Sequence, residues 1–128
     1  MPGFPDVELA LCEVLEAVAP TYTATEDELH PPVIVINRTG GGTDRLGVQD
    51  IAVVEVVCFG ALRPDSVALN AAVRSTLSGA RGIASAAGFI DKITETTAPI
   101  AFPDLNADVR RVVSTWTVTS RLQEIEIP

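Results

Sequence analysis

Residues 37–45 read Asn37-Arg38-Thr39-Gly40-Gly41-Gly42-Thr43-Asp44-Arg45, NRTGGGTDR. Whether this run cradles a phosphate or joins two strands decides the fold class. A phosphate-cradling loop needs glycines whose N–H groups converge on an anion at the start of a helix, with Lys and Ser or Thr at fixed spacing. Here the glycines lead into Leu46-Gly47-Val48 and then IAVVEVVCFG, a β-branched stretch, and there is no GK[ST]. Upstream, VIVINR is bounded by Pro32 and the glycines and reads as a strand. The sequence therefore predicts two antiparallel strands joined by a flexible connection over residues 39–47, with Arg38 and Arg45 as candidate contacts for a protein partner.

Outward from this pair the punctuation is clear. Val7, Leu11, Val14, Leu15 and Val18 recur at helical spacing between Pro5-Asp6 and Pro20, with Glu8, Glu13 and Glu16 on the outer side. A second helix opens at Arg63-Pro64-Asp65-Ser66, buries Leu69, Ala72, Val73 and Leu77, and stops at Ser78-Gly79. RGIASAAG reads as a connection of small residues, FIDKITETT as a third strand, and IAFPDLNAD as a loop or edge confined by Pro99 and Pro103. The last strand, DVRRVVSTWTVTSRL, alternates cleanly. Val112, Ser114, Trp116, Val118, Ser120 and Leu122 share one face; Thr115, Thr117, Thr119 and Arg121 lie on the other.

This order predicts one α+β domain over residues 1–128, a mostly antiparallel four-stranded sheet with both helices on one face. Residues 123–128, QEIEIP, are expected to form a C-terminal extension that pairs with another subunit's edge.

A chain of 128 residues, 47% hydrophobic and 20% charged, can bury a core without disulfide staples. Its mean hydropathy of +0.31 is high, yet no apolar run approaches the roughly 20 residues of a membrane span, so the surplus points to a protein partner. The start MPGFPDVEL lacks the basic and apolar regions of a secretion signal, which predicts a protein made and kept in the cytoplasm.

Net charge is −8, and seven acids with no Lys or Arg fall within residues 1–32. That balance argues against gripping nucleic acid through phosphates, which needs clustered cations.

No catalytic or metal constellation is legible. Cys12 and Cys58 sit singly in apolar segments and read as small buried hydrophobes; His30, in ELHPP, reads as a solvated loop residue. Asp50 and Glu55 fall on opposite faces of one strand, and no GxSxG elbow accompanies the serines. No cofactor, metal or enzymatic activity is expected.

Taken together, FPDVELALCEVL, PPVIVINRTGGG, IAVVEVVCFG, the helix after Arg63-Pro64-Asp65, GFIDKI and RRVVSTWTVTSRL resemble the tail terminator proteins of long-tailed, siphovirus-type bacteriophages, closest to those of phages infecting actinobacteria. The resemblance covers nearly the whole chain and carries no catalytic residue.

It implies a structural virion protein, assembled in the host cytoplasm, that forms a ring, typically a hexamer, on the tail tube protein. Such a ring ends tube polymerisation and meets the head-completion (neck) proteins, while genomic DNA passes through its channel without specific binding. A head-completion or stopper protein is the alternative from the same setting; a small oligomeric ligand-binding or enzymatic domain is the alternative from another class.

Two surfaces are expected to matter for such a protein. Ile51, Val53, Glu55, Val57 and Phe59 lie on the strand face away from the helices and are expected to join the glycine run, Arg38 and Arg45 in a subunit or partner interface, with Glu55 facing Arg121 or Arg38 of a neighbour. Glu8, Glu13 and Glu16 are candidates to face the channel and repel DNA phosphates.

Overall fold

The computed structural model describes residues 2–23, 30–103 and 110–125. Its elements are β1 (Pro2–Gly3), α1 (Val7–Leu15), β2 (Thr21–Tyr22), β3 (Val33–Thr43), β4 (Gln49–Gly60), α2 (Arg63–Leu77), β5 (Arg81–Ser85), β6 (Gly88–Pro103), β7 (Arg110–Arg121) and β8 (Gln123–Glu124).

Helix α2 starts at Arg63 as its sequence says, and α1 starts at Val7, two residues after Pro5. Asp6 caps α1, its carboxylate accepting the Leu9 N–H at 3.2 Å, and Val7, Ala10, Leu11 and Leu15 form the buried stripe. The helix ends at Leu15 and a turn carries half-buried Val18, so the predicted continuation to Pro20 does not form. In α2, Pro64 occupies the first turn and Asp65 folds back to accept the Leu62 N–H at 3.2 Å.

The expected four-stranded antiparallel sheet is corrected. A six-stranded mixed sheet runs β2-β3-β4-β7-β6-β5, parallel between β2 and β3 and antiparallel elsewhere, and β1 with β8 forms a separate two-stranded sheet. The four strands read from the sequence form the middle of the larger sheet. Of the missed strands, β1, β2 and β8 have only two residues each, and β5, Arg81-Gly82-Ile83-Ala84-Ser85, is short and mixed in composition. What makes β5 a strand is the turn after it, where Ser85 Oγ accepts the Gly88 N–H and donates to the Gly88 carbonyl, folding β6 back alongside.

Three connections also differ from expectation. The glycine run is strand: Gly40, Gly41, Gly42 and Thr43 pair with Val53, Ala52, Ile51 and Asp50, after a register shift between Arg38 and Gly40. Glycine lacks a side chain but keeps its backbone donor and acceptor, so a strong partner strand can hold it in the ladder. Pro99 and Pro103 lie within β6, which runs past the strand end expected at Pro99, and they sit on an edge, the second of the two expected settings: β6 there has β7 on one side and, past Lys92, no second strand neighbour among the described residues. Gln123 and Glu124 pair with Gly3 and Pro2 of the same chain, not with another subunit's edge. Residues 126–128 lie outside the described residues.

Both helices pack on one face of the sheet. Contacts of α1 reach β2 and β3 on one side and β5 and β6 on the other, so the sheet curls around it, while α2 covers β4, β7 and β6. Trp116, Leu11, Leu15, Ile34, Ile36, Leu77 and Ile93 are fully buried in this layer. Each such side chain contributes roughly 1.5–3 kcal/mol of burial. On the opposite face Val33, Val35, Val57 and Phe59 form a second, smaller cluster with Val113 against it.

Candidate assembly surfaces

The β3–β4 hairpin is fastened at two points. Its bidentate ion pair sets Arg38 Nη1 and Nη2 each 2.8 Å from an oxygen of Asp50, and Arg38 Nε donates to the Gly40 carbonyl at 3.2 Å across the bulge. The hydrogen bonds to Asp50 raise the Arg38 pKa above its ordinary value; burial opposes the shift, and the charges of Asp50 and Glu8 add to it. At the tip, Asp44 Oδ1 accepts the N–H groups of Val48 and Gln49 at 3.0 and 3.2 Å, and its carbonyl accepts the Gly47 N–H at 3.1 Å.

The tip is therefore a built turn over residues 44–48, shorter than the predicted connection. It presents Leu46 at 82% exposure with exposed Arg45 beside it, and Val48 and Leu122 lie together below, joined by a 2.9 Å backbone bond.

The predicted strand face divides along β4. Val57 and Phe59, at 7% and 5% exposure, are already closed within the subunit, whereas Ile51 is exposed and Val53 and Glu55 are half-buried. Glu55 sits between Asn37 and Thr115 and has no side-chain partner among the described residues. The two arginines expected opposite it are engaged elsewhere. Arg38 holds Asp50, and Arg121 holds Asp91, with Nε 2.8 Å from Oδ1, while stacking 4.9 Å above the Phe89 ring.

The three glutamates of α1 do not form one solvated face. Glu13 accepts the Ala86 N–H at 2.8 Å and so ties α1 to the β5–β6 turn; Glu16 accepts the Thr21 N–H at 3.1 Å and orients the entry to β2. Glu8 is half-buried and contributes to the field at Arg38.

Around Trp116 buried polar groups bond one another, while Ser120 Oγ, buried on the same strand, has no partner among the described residues. Ser114 Oγ accepts the Trp116 indole N–H at 2.9 Å, and Asn70 Nδ2 lies 3.4 Å from Ser114 Oγ and 3.9 Å from Cys58 Sγ. Asn70 was not singled out from the sequence, though it shares the Ser66, Val73, Leu77 spacing of the buried stripe of α2. Burial pushes the Cys58 thiol up to about 12 and, with Glu16, Glu8 and Asp6 adding their charge, pushes Cys12 up to about 11, so neither is a ready thiolate. His30 is exposed. Among the described residues no three His, Cys, Asp or Glu side chains group to hold a metal.

The comparison with known families decides what kind of protein carries these surfaces. The family model described as phage tail termination protein matches residues 3–125. The chain belongs to this tail termination family. Membership makes it a structural protein of phage tail assembly and a virion component. No curated protein matches its sequence. Among solved structures, a chain from the virion of a native gene transfer agent particle superposes with a TM-score of 0.54 at 21% identity, over 91% of this chain and 89% of that one, a likeness of fold.

Proposed function

We propose that the chain assembles into a closed ring of six subunits that caps the tail tube of a long-tailed phage, stops its polymerisation and presents a surface to the head-completion proteins. The family match over residues 3–125 carries this reading. Two features of the molecule support it. The β3–β4 hairpin carries a pre-formed apolar tip at Leu46 and Val48, and the sheet face exposes Ile51 beside half-buried Val53 and Glu55, whose carboxylate has no side-chain partner among the described residues. Such surface suits a protein contact. Channel DNA would pass a protein with net charge −8, Glu8, Glu13 and Glu16 remaining candidates to face it.

Deleting the gene and imaging the lysate tests the reading. Tubes of uncontrolled length without attached heads are expected, and the purified protein is expected to form rings with an open channel by electron microscopy. Tails of normal length joined to heads in the deletion lysate would refute the capping role.

A further inference from the structure

We infer that neighbouring subunits join by pairing the free edge of β3 in one copy with the free edge of β6 in the next, so that β3, β4, β7 and β6 of successive copies make one continuous antiparallel sheet. This rests on the ring reading above and specifies the contact that builds the ring.

The two edges are open over matching lengths. β2 covers β3 at Ile34 and Val35, and β5 covers β6 as far as Lys92; beyond these, neither edge has a strand partner among the described residues. Exposure agrees: Asn37, Thr39 and residues 40–43 are exposed on one side, and Thr94, Thr96, Thr97 and Ala98 on the other. The registers across β4 and β7 put Val35 level with Ile100, and Gly42 level with Lys92. Between those levels residues 37–41 of β3 and residues 94–98 of β6 have no strand partner on that side among the described residues, Ile93 already donating its N–H to the Ala80 carbonyl at 2.9 Å, so the covering strands β2 and β5 do not collide when the edges meet.

Direction and chemistry are also compatible. Three antiparallel ladders separate β3 from β6, so the two run in opposite senses. Copies in a ring share one orientation about its axis, which makes the β3–β6 junction antiparallel, like the ladders within the subunit. The contact is head-to-tail and closes when the rotation closes.

Natural free edges are guarded by lysine, proline or unpaired charge. Residues 94–98, Thr-Glu-Thr-Thr-Ala, carry no lysine or proline, and Glu95 is neutralised by Arg74 at 2.8 Å. On the other edge Arg38 is neutralised by Asp50 at 2.8 Å. Ile93, bonded to Ala80, and Pro99 stand immediately outside the free stretch and mark its ends. The register shifts after Arg38 in β3 and at Glu95/Thr97 and Thr97/Ile100 in β6 interrupt both edges, so the ladder forms in short lengths between them. A second copy is the occupant that supplies both matching edges at once.

Cysteine pairing tests this. The registers set Asn37 level with Thr97 through Glu55 and Thr115, and both are exposed. Asn37→Cys combined with Thr97→Cys, or with Thr94→Cys, is expected to give on mild oxidation a series of covalent multimers ending in a closed ring, while each single variant stops at a dimer. Thr94→Lys with Thr97→Lys, which restores a guarded edge, is expected to lower the ring population at least tenfold with an unchanged circular dichroism spectrum; if that variant fails to fold, the cysteine series still decides.

Wild-type rings seen alongside neither covalent series nor lysine effect would overturn the edge contact and leave the ring reading standing. Covalent capture of the tube protein, and not of a second copy, by Thr97→Cys would overturn it in favour of another occupant. A wild-type protein that forms no ring, alone or on purified tube ends, would remove the ring reading and this contact with it.

Discussion

Arg38 and Asp50 close the end of the β3–β4 ladder, both guanidinium Nη atoms 2.8 Å from the carboxylate and Asp50 itself at 5% exposure. Removing the cation leaves a buried charge without its partner, which is the costly half of a buried ion pair. Arg38 is about one-third exposed, so Arg38→Met is expected to cost roughly 3 kcal/mol, the low end of the range for such pairs. Adding Asp50→Leu is expected to recover most of that loss in denaturant titration, since the uncompensated charge is then gone.

The three glycines of β3 are not equivalent. Gly41 has φ +100, and a Cβ there would lie 1.9 Å from the Ile51 carbonyl oxygen, whereas Cβ atoms at Gly40 and Gly42 meet nothing within 4 Å. Gly41→Ala is therefore expected to destabilise the fold by at least about 1–3 kcal/mol, and Gly40→Ala and Gly42→Ala to be neutral or mildly stabilising through the unfolded chain. Thermal midpoints of the three single variants check this. A triple alanine replacement would thus report on folding before it reported on tail completion. Amide exchange in the isolated subunit is expected to show protection as far as Thr43 at those N–H groups that face β4, because Gly40 to Thr43 lie in the ladder on that side.

Ser114 serves Trp116 from within the same strand, two residues away, and Asn70 approaches both Ser114 and Cys58 from α2. Ser114→Ala strands the buried indole N–H and is expected to cost about 1–3 kcal/mol. Ser114→Thr keeps the hydroxyl, and its smaller effect would separate the lost bond from the changed volume; equal midpoints for alanine variant and wild type would show that the bond contributes nothing net.

How much of this was readable depends on what each feature needs. Single-strand alternation showed β4 and β7, and helical spacing with Pro64 and Asp6 showed both helices, because those signals are local. The Arg38–Asp50 pair needs the hairpin register, which the Asp44 turn sets, and no spacing rule places residues twelve apart side by side. The β1–β8 sheet joins the two ends of the described chain, and pairs as short as Pro2–Gly3 carry no pattern of their own. Glycine and proline signals misled in the same way: Gly40, Gly41, Pro99 and Pro103 mark weak strands, yet β4 and β7 are long enough to hold them in ladders. The exposure of Ile51 and the burial of Val57 on one alternating face depend on how the curled sheet is packed along its length, which periodicity does not encode.

Alkaline stability follows from the cysteines. Both thiols are raised in the fold, Cys12 to about 11 and Cys58 to about 12, mainly by burial. The unfolded chain releases these protons near pH 8.5–9. Below that range both states hold the proton and stability is unaffected; above it the unfolded state ionises first, so stability falls as pH rises toward the folded values. Denaturation midpoints are expected to decline from about pH 9 upward. Replacing both cysteines with alanine should flatten that decline, and an unchanged slope in the double variant would place its origin elsewhere.

The face of β4 away from the helices gives two outcomes according to position. Val57 lies at 7% exposure among Val33, Val35 and Phe59, so Val57→Asp buries a charge with no partner and is expected to lose roughly 3 kcal/mol or more, too much to report cleanly on assembly. Ile51, at 38% exposure near the hairpin tip, tolerates a carboxylate with a change of about 0.5–1 kcal/mol. If this open end is buried against a neighbour, Ile51→Asp places a charge in that contact on the same strand face as Glu55, whose carboxylate has no side-chain partner among the described residues. Folded subunits that fail to form rings are then expected by size exclusion and electron microscopy, with a melting curve close to that of the wild type. Ile51→Asp rings at the wild-type level would show that this end of the face stays in solvent within the assembly.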